Sequence, residues 1–553
     1  MPKNIILCSD GTGNTGIKGR GTNVFKLFEA IDLTEHRTDP KLDTQLAFYD
    51  DGVGSNGNPL VRWIGGAAGY GLKRNVKELY RELSRVYDPG DRVFLFGFSR
   101  GAFTVRTLSG MIQACGILAG ERFDRAKDLR DAVEEAYDAY RAKYHSVLTN
   151  AVGKLLQWPT PEKALNDFYA KHESRLHLDV VIEFIGVWDT VDAVGMPFAV
   201  ADIANRLIYQ FKFKTYMLGS KVKRACHALS IDDPRLAFEP VLWHGPDDRI
   251  DQVWFAGVHS NVGGGYIKQG MSLVALDWML AHAENAGLRV QKLDRDLFRG
   301  HASVDDLIYN PRAGVGLFYR WGPRDIASYC RKSGIEPHIH LSVAERIAHA
   351  TDDYAPGNIP PEMKVVFTPL DPDDPDRDYK ELLLERRAAA VGAAMNTAFA
   401  GRYKLHDVGP AVALGQLSYA IFLIGWAALV AVIAGILVTM INSARPLDVA
   451  VAAGGMLVAG GAFVLASLLA RGADQQIEDE FTAFWQKHQR DLRGALKHAK
   501  DTAKREVADL PPEADRIRRL NGILPDNSIG ARKEDLAGVK VQDPGNGSTI
   551  RHN

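Results

Sequence analysis

Three side chains in this sequence could together carry out acyl transfer: Ser99, Asp189 and His259. Ser99 stands in Gly97-Phe98-Ser99-Arg100-Gly101, the one GxSxG in the chain, between the apolar stretch DRVFLFGF and the helix-forming stretch AFTVRTLSGMI. A serine at a sharp strand-to-helix turn exposes its oxygen, and the flanking glycines leave room where a side chain would strike neighbouring backbone. Serine alone is a poor nucleophile; it needs a base, and the base needs an acid to orient it. Asp189 ends the apolar run of GVWDTVDAVG and His259 that of WFAGVHSNVGGGY, so each lies just past a predicted strand. The order Ser, Asp, His is that of α/β hydrolases. Asp192 is the rival acid. His227 and His244 are rival bases, but neither directly follows a predicted strand.

Acyl transfer also needs N–H donors aimed at the developing oxyanion. The backbone N–H of Arg100, at the start of the helix after the nucleophile, is one; Gly11 or Thr12, in the loop SDGTGN after the first strand, is expected to supply the other. Residues 11–16 of that loop formally match GxGxxG, a dinucleotide fingerprint. Asp10 would place a carboxylate beside the pyrophosphate, and the next helical stretch starts only at Thr22, so the match does not fit that role. Asp10 is expected instead to stabilise the loop by pairing with Arg100. Chemistry of this kind calls for no metal and no organic cofactor.

These side chains need a scaffold. Predicted strands are Asn4–Cys8, Gln45–Tyr49, Arg92–Phe98, Val180–Trp188 and Gln252–Val258, all short and nearly continuously apolar. Helical stretches lie near 69–87, 100–116, 122–146, 162–174 and 271–286. The alternation predicts an α/β fold over residues 1–400, a mostly parallel sheet flanked by helices, with its site at the carboxyl ends of the strands.

The rest of the chain is different. Residues 411–441 carry no charged side chain and 447–470 carry only Asp448; each run exceeds the ~20 residues that cross a hydrocarbon core. With the turn NSARPL between them they predict a transmembrane helical hairpin over 411–471. Small residues at Ala431/Gly435, Ala450/Gly454 and Gly455/Ala459 would let the two helices approach closely, or offer a route to homo-oligomers. Arg402, Lys404 and Arg471 at the base outnumber Arg445 at the tip, which places the base and the N-terminal domain on the cytoplasmic side of the inner (plasma) membrane. Residues 474–510 predict an amphipathic helix with a stripe of Ile477, Phe481, Phe484, Trp485, Leu492 and Leu496; 511–553 read as a largely disordered tail. A chain ending near Pro410 is therefore expected to be soluble and active on short esters.

Composition removes other classes. Lys+Arg total 67 against 68 Asp+Glu, a net charge of -1, so no basic face for nucleic acid is expected. The 4 cysteines form no CxxC pair, which argues against a zinc ribbon, a thioredoxin-like site and a disulfide scaffold. The apolar run Ile5 to Cys8 is too short for a signal peptide.

The segments KNIILCSDGTGN, FGFSRGAFTVRTLSGMI, IGVWDTV and WFAGVHSNVGGGY together resemble the bacterial α/β-hydrolase family typified by type VI secretion phospholipase effectors. YDDGVG at 49–54, HALSIDDPR at 227–235 and HIHLSVAERI at 338–347 extend the resemblance over residues 3–360. It implies a Ser-Asp-His hydrolase of phospholipid acyl esters, with Ser99, Asp189 and His259 as the triad. Two departures stand out. Asp192 occupies a position where relatives carry a small residue, and an integral hairpin does not suit an effector that must be soluble in transit. The expected protein is thus a membrane-anchored, phospholipase A-like serine hydrolase whose partners are lipid and membrane. The alternatives are a membrane scaffold or pore-forming protein that uses the hydrolase fold as a binding module, and a delivered effector acting on a target-cell membrane. Residues 201–224 interleave Tyr209, Phe211, Phe213 and Tyr216 with Lys212, Lys214, Lys221 and Lys223, a mixture suited to a lid or to an anionic lipid surface.

Overall fold

Strands here are short runs of Ile, Val, Leu and Phe that are buried on both faces, and a parallel sheet covered by helices on each side is the arrangement that satisfies them. The structure, a computed structural model, describes residues 2–11, 21–51, 67–142, 160–191, 216–312, 319, 321–370, 377–399, 409–441 and 446–508. In chain order the strands are β1 (Asn4–Ser9), β2 (Gln45–Asp50), β3 (Arg92–Phe98), β4 (Ile117–Leu118), β5 (Leu176–His177), β6 (Ile182–Trp188), β7 (Val222–Ser230), β8 (Ile250–Phe255), β9 (His338–His340) and β10 (Lys364–Val366). The helices are α1 (Asn23–Ala30), α2 (Ala67–Val86), α3 (Arg100–Cys115), α4 (Ala126–Arg141), α5 (Pro161–His172), α6 (His259–Gly263), α7 (Gly270–Asn285), α8 (Lys292–His301), α9 (Ile326–Ser333), α10 (Leu341–His349), α11 (Arg377–Phe399), α12 (Gly409–Ile441) and α13 (Pro446–Ala508).

Among the described residues the main sheet has eight strands in the order β10-β9-β8-β7-β6-β3-β1-β2, and every pair in it is parallel. β4 and β5 form a separate antiparallel pair. The chain runs from β1 out to the edge at β2, then crosses back to β3 on the other side of β1. Such a reversal opens a crevice at the carboxyl ends of the two central strands. One face of the sheet is covered by α2, α3 and α4, through Tyr80, Leu108 and Tyr137; the other by α1 and α7, through Leu27, Trp278 and Met279.

Five of these strands lie where the sequence predicts them, within a few residues. β4, β5, β7, β9 and β10 were not predicted. Lys223 and Arg224 break the apolar run near the start of β7, and the other four are too short to leave a pattern. β8 stops at Phe255, so His259 does not directly follow a strand but begins α6.

The two apolar C-terminal helices pack side by side. Ser418 Oγ donates to the Ala466 carbonyl at 2.6 Å, and the rings of Phe422 and Trp426 meet Phe463 at 5.6 and 5.8 Å. Gly455 closes on Val432 and Ala459 is buried, whereas Ala431, Gly435 and Gly454 face outward. Outward too are Ile424, Val451, Val458 and Leu457, the last 78% exposed. Both helices are long and apolar enough to cross a membrane. α13 does not end with its apolar part. It continues unbroken to Ala508, and its Phe481, Trp485 and Leu492 enter one buried cluster with Ile339 of β9, Ile347 of α10 and Val391 of α11. Trp485 Nε1 donates to the Pro356 carbonyl at 2.9 Å. The predicted amphipathic helix is therefore the distal part of the second apolar helix, and its stripe is core.

Candidate active site

The three predicted triad residues converge at the carboxyl ends of the strands. Phe98 of β3 is the register partner of Trp188 of β6, and the ladder continues as Ser99 N–H donates to the Trp188 carbonyl at 3.0 Å, which sets Ser99 and Asp189 side by side. Ser99 is 7% exposed and has φ 59, ψ −120, a conformation strained for a residue with a side chain and typical of a strand-to-helix elbow. The elbow depends on its glycines. A Cβ on Gly97 would stand 2.5 Å from the Gly101 carbonyl oxygen, and one on Gly101 would overlap the Ser9 carbonyl of β1.

His259 Nδ1 lies 2.5 Å from Asp189 Oδ2. The imidazole is wedged between the Phe98 ring, at 4.6 Å, and the edge of Phe238, at 4.9 Å. Phe98 is the neighbour of Ser99, so the ring is held beside the nucleophile. Asp189 also accepts from Ser230 N–H at 3.0 Å, from Ser230 Oγ at 3.1 Å, and from both terminal nitrogens of Arg324, at 2.7 and 2.9 Å. Burial alone would push the Asp189 carboxyl up, but the Arg324 charge and the His259 hydrogen bond outweigh it and hold it far below the usual carboxylate range. An ionised Asp189 only accepts, so Nδ1 of His259 carries the proton and Nε2 presents a lone pair. Nε2 is buried and has no hydrogen-bond partner among the described residues. Burial is the largest influence on the imidazole and holds it below 6.5, against the opposite pull of Asp189. The ring is then neutral at neutral pH and able to take a proton.

The rivals sit elsewhere. His227 lies inside β7, fully buried; Thr190 N–H donates to its Nε2 at 3.0 Å, and Nδ1 reaches Gln252 Oε1 at 3.3 Å. Burial takes it down to about 3. His244 is stacked on Tyr216 at 4.6 Å. Asp192 and Thr12 lie outside the described residues, as do 52–54 of YDDGVG, 201–215 of the aromatic and lysine-rich segment, the turn 442–445 and the tail.

Asp10 is buried, yet it does not meet Arg100. Its carboxylate accepts from Thr22 Oγ1 and Tyr49 OH, both at 2.6 Å, and from Gly11 N–H at 2.6 Å. Thr22 caps α1 and Tyr49 is the next-to-last residue of β2, so Asp10 ties the loop after β1 to both neighbours. Burial pushes its carboxyl up to about 6. The Gly11 N–H is thereby engaged. The Arg100 N–H opens α3, directly after the nucleophile.

HALSIDDPR was recognised in the sequence without a role, and the structure supplies one. Ser230 holds Asp189. Asp233 Oδ2 accepts from His259 N–H at 3.1 Å, and Asp232 Oδ2 accepts from Gly257 N–H at 2.6 Å, so both aspartates fix the loop that carries His259. Arg324 was missed altogether, because a single arginine in WGPRDIASY leaves no pattern that points to a partner 135 positions away. At the amino-terminal side of the same sheet, ligand atoms of Cys226, Asp251 and His282 lie within 4.8 Å of one another. The Arg224 guanidinium is already bonded to Asp251 Oδ2 there, so the carboxylate has its cation.

The chain is 28% identical over 250 residues to the uncharacterized protein YEL023C of Saccharomyces cerevisiae; the match covers 43% of this chain and spans 32% of the yeast protein's length. A crystal structure of an uncharacterized protein from Pseudomonas aeruginosa aligns over 71% of this chain and 59% of its own, with 19% identity and a TM-score of 0.31. The profile of the T6SS phospholipase effector Tle1-like catalytic domain matches residues 3–282, which span β1 to α7 and contain Ser99, Asp189 and His259. Half of the chain, the half with the buried Asp–His pair and the strained serine, is accounted for by that match, and the chain belongs to the Tle1-like phospholipase effector family.

Proposed function

We propose that this protein is a membrane-anchored serine hydrolase that cleaves phospholipid acyl esters. The observation that carries the reading is His259, bonded through Nδ1 to an ionised Asp189, with Nε2 unpaired among the described residues and its ring pressed against the neighbour of a strained Ser99. Ser99 Oγ attacks the acyl carbonyl carbon while His259 Nε2 takes its proton. The tetrahedral intermediate collapses as the imidazolium gives that proton to the departing glycerol oxygen, leaving an acyl-Ser99 ester and a lysolipid. Water, deprotonated by His259, then attacks the ester; fatty acid leaves and the proton returns to Ser99. Arg100 N–H is the first oxyanion donor. Gly11 or Thr12 is the second, and Gly11 serves only once it releases Asp10.

The outward-facing Ile424, Val451, Leu457 and Val458 support the anchor, since they are exposed among the described residues and lipid would cover them. Residues 1–400 act as the catalytic part, held at the cytoplasmic face of the inner membrane by the hairpin. A second reading is favoured by the family's own description: a delivered effector acting on a target-cell membrane. Labelling with a fluorophosphonate tests the enzyme reading in either place. The wild type should label at Ser99 and Ser99→Ala should not; absence of labelling in the wild type favours the hydrolase fold as a binding module.

A further inference from the structure

The family match ends at residue 282, yet the carboxylate of the triad is gripped from beyond it, by Arg324. Arg324 is buried, and besides its two bonds to Asp189 it donates to the carbonyls of Ser230 and Phe238, each at 2.6 Å. A bidentate guanidinium fixes a carboxylate in plane as well as in charge. Phe238 packs on His259, so one side chain braces both the acid and the base of the triad.

What holds Arg324 is equally specific. The segment Trp321 to Arg324 leaves the site and runs to the hairpin. Trp321 makes an antiparallel bridge with Arg235, and Gly322 N–H donates to the Pro234 carbonyl at 2.8 Å. The Trp321 ring is buried against α12 at Gly415, where a Cβ would overlap the ring. Helix and indole therefore touch with no room between them, three residues from the arginine. Gly415 is near the start of the first apolar helix, whereas Gly435 on the same helix has nothing within 4 Å of its missing Cβ.

Resting on the triad reading above, we propose that Arg324 is a positioning residue for Asp189 and His259, and that the membrane hairpin sets it in place through the Gly415–Trp321 contact. The hairpin is then part of the support of the active site as well as an anchor. Loss of the hairpin contact should impair hydrolysis even of an ester that never meets a bilayer.

The sign of the electrostatic effect is fixed. Arg324 neutralises the charge of Asp189 as felt by the imidazole. Without it, the carboxylate favours the protonated ring, and the acid limb of kcat/KM moves to higher pH. The test uses full-length protein in detergent micelles and p-nitrophenyl butyrate, comparing wild type, Arg324→Met, Arg324→Lys, Gly415→Leu and Gly435→Leu, with Ser99→Ala as reference. Arg324→Met should lower kcat about a hundredfold, the effect of misplacing a catalytic group by about 1 Å, with KM little changed and the limb moved upward. Arg324→Lys, which keeps the charge but not the fork, should restore the limb and only part of kcat. Gly415→Leu should lower kcat about tenfold at unchanged KM, on the same scale of misplacement, and Gly435→Leu should match wild type. Should Arg324→Met not fold, the lysine and glycine variants still decide the matter. A wild-type limb in both arginine variants overturns the positioning role. Equal effects of Gly415→Leu and Gly435→Leu, or none from Gly415→Leu, overturn the coupling to the hairpin. Residual turnover in Ser99→Ala would instead overturn the triad reading itself.

Discussion

Asp189 accepts from His259, Ser230 and Arg324 at once, so its two oxygens hold the imidazole in one orientation, and the Arg324 charge and the His259 hydrogen bond favour its ionised form. At this scale the account predicts that Ser99→Ala and His259→Ala each lower ester turnover by several orders of magnitude, and that the double variant is hardly worse than either, because triad members act as a unit. Steady-state kinetics on a soluble ester checks this; additive losses would mean that one of the two is misassigned. A pH prediction follows from the environment of His259. Burial holds its imidazole below 6.5, so kcat/KM should fall on acidification through a limb below that value and stay flat across neutral pH. A limb at or above 6.5 would mean that a solvated group, rather than His259, is the base.

At the scale of elements, β3 and β6 set Ser99 and Asp189 on neighbouring strand ends and the turn after β8 brings His259 onto Asp189, and each of those apolar runs is readable in the sequence. Ser99, Asp189 and His259 could be singled out as candidates because they follow such runs. Their support could not. Ser230, Asp232 and Asp233 lie at the end of β7, hidden by its charged start, and Arg324 acts across 135 positions. Asp10 was read as a loop stabiliser, but its partners Thr22 and Tyr49 come from α1 and β2, which only the fold brings near; the expected Arg100 pair does not form. The separable domain ending near Pro410 rests on the same gap. Chain order places Trp485 after the hairpin, while packing places it in a core with β9, α10 and α11, fully buried. Trp485→Ala should therefore cost about 3–5 kcal/mol, as large-to-small core changes do. A chain cut at Pro410 should lose thermal stability and tend to aggregate. Equal melting temperatures of the cut and full-length proteins would contradict this packing.

For the whole molecule, two apolar helices pack against the body that carries Ser99, Asp189 and His259, so on the proposed reading the chemistry is held beside the bilayer. Charge at the hairpin base predicts the sidedness. Ser443→Cys, at the tip, should react with an impermeant maleimide added to the periplasmic side of intact bacteria, whereas Ala473→Cys, at the base, should not. Reversed labelling would put the hydrolase outside and favour the delivered effector. Full-length wild type and Ser99→Ala, each reconstituted into phospholipid vesicles, are to be followed by mass spectrometry of the extracted lipids. Free fatty acid and lysophospholipid should accumulate in equal amounts with the wild type and stay at the level of empty vesicles with Ser99→Ala. The same products from both proteins, or from neither, would contradict Ser99-dependent cleavage of phospholipid acyl esters.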